Sequence, residues 1–253
     1  MNQDFSFNGR AARRGFSLME LLVVVAIIGL LASVTLPALK GIGKSNALTA
    51  TKRQLLDDLA LARLMAINNR TTVYMVFLAP TVMDRQLMDR LAPVDQDRVQ
   101  QLWEGLYTSY RVYAQRSVGS QPGRPEPKFL TDWKFLPEGI IFDPEKFIVQ
   151  RGNALVVRDP VTRPYTLREL GFPHVDSAPV LMHTVAFNAQ GQLLSGRDEV
   201  ITYLEGDVAY QRDFDGNVAM GPLDIVDKSQ GARHYVLIHW LTGRARLIQP
   251  ELP

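Results

Sequence analysis

Arg13-Arg14-Gly15-Phe16-Ser17-Leu18-Met19-Glu20-Leu21-Leu22, with the apolar run that continues to Leu39, decides how this chain is read. From Leu21 to Leu36 the only residue types are Leu, Val, Ala, Ile, Gly, Ser and Thr. Counted from Phe16, the segment is long enough for a bilayer core of ~30 Å, which takes about 20 helical residues. Basic residues stand directly before it, and one carboxylate, Glu20, lies just inside it. A carboxylate at the membrane centre costs roughly 2.5–3.5 kcal/mol on insertion scales, which makes Glu20 a functional candidate. A cleaved secretory signal would need a small-x-small site after the apolar stretch, and Ala32 to Gly43 offers no clean one. A plain anchor with Glu20 reaching back to the interface is the competing reading. It leaves Gly15 and Phe16 unexplained.

Gly15-Phe16-Ser17-Leu18-Met19-Glu20 ahead of a long apolar helix resembles the prepilin processing site of type IV pilins and type II secretion pseudopilins. The resemblance implies a membrane-embedded aspartyl peptidase that cuts between Gly15 and Phe16 and methylates the new N-terminus on Phe16. It implies that Glu20, the fifth residue after the cut, pairs with the N-terminal amine of a neighbouring subunit during filament assembly. Pro37 stands where that family tends to place a proline in the apolar helix. The implied partners are the prepilin peptidase, other pilins or pseudopilins, and the inner membrane. No cofactor and no enzymatic activity of its own are implied.

The 253 residues divide into a leader at 1–15, the transmembrane and assembly half of an N-terminal helix at 16–40, and an extracytoplasmic globular domain at 41–253. The formal charge of +2 sits in the leader, where Arg10, Arg13 and Arg14 face only Asp4, so the chain from Phe16 is close to neutral. That excludes a global basic field for nucleic acid or anionic lipid. The leader's charge instead sets the orientation: a single pass in the inner membrane, N-terminus cytoplasmic and C-terminal domain periplasmic. The absence of cysteine excludes thiol nucleophiles, iron–sulfur sites and cysteine zinc sites. It also leaves the domain to rely on its core rather than on disulfides.

Pro37, with the two glycines of Lys40-Gly41-Ile42-Gly43-Lys44-Ser45-Asn46 beyond it, should kink or loosen the helix. From Ala47, Leu48, Leu55, Leu59, Ala62 and Ala66 recur at helical spacing, with Lys52, Arg53, Asp57 and Asp58 largely off that stripe. This half should lay its apolar side on a sheet and end at Asn68-Asn69-Arg70. Thr71–Leu78 reads as a strand by its β-branched and aromatic content. Met83–Gly105 turns helical, divided by Pro93, and Tyr107–Gln115 returns to strand. Residues 117–127 read as an exposed loop. Strands follow near Trp133–Phe135, Gly139–Phe142 and Ala154–Val157, with a short helix at Leu167–Leu170. Three hairpins are expected: Thr184–Phe187 with Gln192–Leu194, Ile201–Leu204 with Val208–Arg212 about Glu205-Gly206, and Tyr235–Trp240 with Arg244–Ile248. The fold class is therefore α+β, a long N-terminal helix packed on a C-terminal antiparallel sheet domain, pilin-like. The closing hairpin with Thr242-Gly243-Arg244-Ala245-Arg246, and the block from Leu55 to Arg63, resemble the H-type minor pseudopilin branch. The segment 83–105 is larger than that branch leads one to expect.

Chemistry is sparse. His174, His183, His234 and His239 make no metal spacing and read as satisfied or exposed structural histidines. Asp213-Phe214-Asp215-Gly216-Asn217 loosely resembles a calcium loop, but its glycine falls at the fourth position rather than the sixth, and a plain Asp-Gly turn is favoured. No phosphate loop or nucleophile elbow stands out. Arg244 and Arg246 admit a second reading. Gly-Arg-x-Arg near the C-terminus resembles the DNA-contacting tail of certain minor pilins, where paired arginines would meet phosphates.

Overall fold

A computed structural model describes residues 18–116, 126–148 and 159–248, apart from the side chains of Ala32 and of residues 34–45. Helix α1 runs Leu18–Asn69 as one element and includes Pro37. The chain forms two compact units that divide between Ser45 and Asn46. Among the described residues no helix is long and apolar enough to cross a membrane.

In the second unit, α1 buries the stripe read from the sequence: Leu55, Leu59, Ala62 and Ala66 are fully buried, with Leu48 packed beside them. Each leucine so buried contributes about 1.5–3 kcal/mol relative to exposure. Arg70 stops the helix in the left-handed region (φ 49°). Its N–H reaches Ile67 O and that of Thr71 reaches Ala66 O, both at 3.2 Å, which satisfies carbonyls that the helix end would otherwise orphan.

Beyond α1 lie β1 (Val73–Phe77), α2 (Arg85–Met88), α3 (Pro93–Leu102), β2 (Ser109–Ala114), β3 (Lys128–Phe129), β4 (Lys134–Phe135) and β5 (Ile140–Phe142). They are followed by β6 (Thr166–Gly171), β7 (Pro179–Phe187), β8 (Glu199–Ala209), β9 (Asp224–Asp227), β10 (His234–Ile238) and β11 (Ala245–Ile248). One sheet has the order β3-β2-β1-β7-β6, with β4 also on β2; the other runs β11-β10-β8-β5, with β9 on β8. All these pairings are antiparallel. Phe77 gathers an aromatic core, stacked on Tyr165 at 4.6 Å and meeting Phe142 edge-on at 5.1 Å. The 83–105 segment is two short helices, as expected, with Pro93 at the start of α3. It buries Leu87, Leu91, Val99 and Trp103 in the same core.

Several expectations need correction. Leu167–Leu170 is not helical; it lies in β6, paired residue by residue with β7 from Gly171↔Pro179 to Thr166↔Thr184. A segment this short gains little from helix propensity, and an available sheet edge outweighs it. Glu205-Gly206 is not a turn. The backbone continues as β8, and Gly206 permits close approach, since a Cβ there would stand 2.8 Å from Val226 O. The hairpin after Phe187 closes through a single bridge, Phe187↔Leu193. The expected strand at Ala154–Val157 and most of the 117–127 loop lie outside the described residues.

Asp58, expected off the apolar stripe, is 6% exposed. It accepts from Tyr110 Oη at 2.5 Å and from Lys134 Nζ. Burial, then the bond and charge of Asp58, push the Tyr110 hydroxyl well above its ordinary value. A buried carboxylate is tolerable here because both oxygens are met by donors.

Candidate functional site

Gly15 and Phe16 lie outside the described residues. Glu20 lies in α1, close to the start of its described part. Around it the apolar side chains from Leu18 to Leu31 are 45–88% exposed on every side. A helix on a globular surface hides one apolar stripe, and α1 hides none between Leu18 and Leu31. A surface of this size and polarity calls for lipid or protein against it.

At the other end of the chain, β10 and β11 form the closing hairpin, with register Ile238↔Ala245 to Tyr235↔Ile248. The turn is held in place by α1. Arg63 Nε donates to Thr242 O at 2.7 Å and to Gly191 O at 3.2 Å. Gly243 has φ 61°, and a Cβ added there would stand 2.0 Å from Gly191 O. That close approach is why the turn requires glycine. Arg244 and Arg246 are both exposed. Arg246 lies in β11, an edge strand, and Arg244 immediately precedes it.

The interior holds an ionisable group that sequence reasoning missed. Lys146, in a 3₁₀ turn at Pro144–Phe147, is 1% exposed and donates to Pro160 O and Val161 O at 2.9 and 3.2 Å. Burial lowers its ammonium to about 8, opposed by the charge of Glu199. Glu199 opens β8 and is 4% exposed; burial raises its carboxyl, against Lys146, Ser195, Arg163 and Arg197. His183 is neither exposed nor satisfied, contrary to expectation: it is fully buried and neither ring nitrogen has a partner. Its ring meets Phe147 at 5.1 Å. Burial brings its imidazole down to about 4, with the Phe147 backbone opposing weakly. These residues come from three separated segments, and no spacing in the sequence could have joined them.

Two surface arrangements resemble chemistry only in residue type. Ser177 Oγ donates to Asp95 Oδ2 at 3.0 Å while His174 Nε2 lies 2.5 Å from Arg98 Nη1. The serine faces a carboxylate and not the imidazole, so the arrangement lacks the nucleophile–base contact of a triad. It ties the loop after β6 to α3. The Asp213–Asn217 segment is a tight turn: Asp213 Oδ1 accepts from the N–H groups of Asp215 and Asn217, and Gly216 has φ 84°. Among the described residues no cluster of His, Asp and Glu is placed to hold a metal ion.

Residues 10–36 match the protein family described as prokaryotic N-terminal methylation motif. The matched span contains Gly15, Phe16, Glu20 and the whole exposed apolar part of α1. It supports a pilin-like, membrane-anchored protein processed by a prepilin peptidase. No curated protein and no solved structure matches the chain.

Proposed function

We propose that this chain is a pilin-like structural subunit of a type II secretion pseudopilus or a related type IV filament. The observation that carries the proposal is the methylation motif at 10–36, which contains Glu20 and runs into an apolar helix. The precursor enters the inner membrane through residues 16–40, with the leader in the cytoplasm and residues 41–253 in the periplasm. The peptidase cuts after Gly15 and methylates Phe16. Glu20 then pairs with the amine of a neighbour's Phe16, in a setting where an unpaired carboxylate is costly and low dielectric strengthens the attraction. Within the family we favour the H-type minor branch, on the closing hairpin and the Leu55–Arg63 block.

Co-expression with a prepilin peptidase should remove residues 1–15 and leave N-methylated Phe16, read by mass spectrometry. Gly15→Leu should block the cut, since a bulky side chain crowds the scissile position. Glu20→Ala should still insert and be processed, yet fail to cross-link to its partner pilins. Efficient cleavage elsewhere sinks the family reading; normal incorporation of the alanine variant sinks the role of Glu20.

A second reading, a DNA-binding minor pilin, is supported by the exposure of Arg244 and Arg246 at the start of the edge strand β11. It requires binding that weakens steeply with salt and is lost on replacing both arginines by alanine. No binding at low salt removes it.

A further inference from the structure

Beside α3 the surface holds an open cleft of about 500 Å³. One wall is formed by Asp97, Gln100 and Gln101 of α3, continued by Glu104 in the next turn. Residues three and four apart stand on one side of a helix. The other wall is the segment after β8, with Arg212 and Asn217. The two walls are clamped together. Arg212 Nη2 donates to Glu104 Oε1 at 2.8 Å, Tyr210 Oη to Glu104 O at 2.8 Å, and Gln100 Nε2 to Val218 O at 3.3 Å. Arg212 Nη1 also donates to Gly216 O at 2.7 Å, which fixes the turn itself. Among the described residues the side chains of Asp97, Gln101 and Asn217 make no hydrogen bond or ion pair. Phe214 tops the same turn with its ring wholly exposed. It stands two residues from Arg212 and two from Gly216, which keeps its Cα within about 7 Å of both. A phenyl ring held in water forgoes about 1.5–3 kcal/mol of burial.

The groups on the walls select a ligand class. The Arg212 guanidinium already has the Glu104 carboxylate, so no unpaired cation awaits an anion, and the walls are too polar for an apolar ligand. A cation would meet Asp97 with Arg212 across the same cleft. Asp97 accepts, whereas the amides of Gln101 and Asn217 both donate and accept. Sugar hydroxyls are likewise donors and acceptors, and the C–H face of a sugar ring is apolar, as an exposed aromatic requires. We propose that this cleft binds a neutral oligosaccharide, its hydroxyls bonded to Asp97, Gln101 and Asn217 and the C–H face of one ring laid on Phe214. The same hexose chemistry is offered by a free oligosaccharide and by the interior of a polysaccharide.

The test is a titration of the full chain in sugar-free phosphocholine micelles, with the side-chain amides of Gln101 and Asn217 read by NMR. Maltotriose, cellotriose and mannotriose are the probes. At least one should shift these signals saturably, with Kd on the order of 1 mM. Phe214→Ala and Asn217→Ala should each weaken that binding about fivefold. Phe214 is fully exposed, so its alanine variant keeps the fold. No saturable shift with any of the three sugars, or unchanged binding by Phe214→Ala, would overturn the proposal. So would n-butylammonium or inorganic phosphate shifting the same signals at the same concentration as the sugars. Equal binding of a trisaccharide and its methyl glycoside would support a polysaccharide interior as occupant, whereas a requirement for the free reducing end would support a free oligosaccharide.

Discussion

His183 should give the globular unit an acid-sensitive stability that a single substitution removes. Its imidazole is fully buried with both nitrogens unpartnered, and burial brings it from the ordinary 6.5 to about 4. The unfolded chain therefore binds a proton on this residue at a pH where the folded chain does not. Stability from this source is fully present above about pH 6.5 and falls as the pH drops towards about 4. The gap corresponds to about 3 kcal/mol. Carboxylates titrate over the same range, so the informative quantity is the difference between two proteins. Urea denaturation of wild type and His183→Leu should show wild type losing about 3 kcal/mol more between pH 7 and pH 4. At pH 7 the two should lie within about 2 kcal/mol, because the leucine removes two orphaned polar atoms but also the ring packed on Phe147. An imidazole that titrates near 6.5 by NMR, or equal acid dependence in the two proteins, would refute the argument.

Asp58→Ala should lower stability by about 2–3 kcal/mol in denaturant titrations, since it strands the buried Tyr110 hydroxyl and removes the partner of Lys134. Gly243→Ala should lower the melting temperature clearly, at about 2 kcal/mol or more, because both the positive φ and the contact with Gly191 O resist a Cβ. Gly139→Ala has a similar φ of 79° but open space around the added carbon, so about 1 kcal/mol is expected there. If the two glycine variants cost the same, the clasp on the closing hairpin contributes nothing beyond backbone strain.

What could be read from the sequence is what a contiguous stretch of chain encodes by itself. The motif around Gly15, Phe16 and Glu20 is a run of adjacent residues, and the stripe from Leu48 to Ala66 is a periodicity of one helix. β1 and the β10–β11 hairpin carry their own β-branched residues and turn, and Pro93 divides its helices by geometry that no neighbour can alter. Tertiary structure decided the rest, because there the outcome depends on what lies opposite. Leu167–Leu170 is a strand because β7 offers an edge, and Gly206 stays within β8 because Val226 and Ile141 press close to it. Asp58 looked like a solvated charge until Tyr110 and Lys134, distant in sequence, met it inside the domain. Lys146, His183 and Glu199 are each unremarkable in their own segments. Packing two sheets together removes water from all three, and that desolvation gives them their shifted protonation.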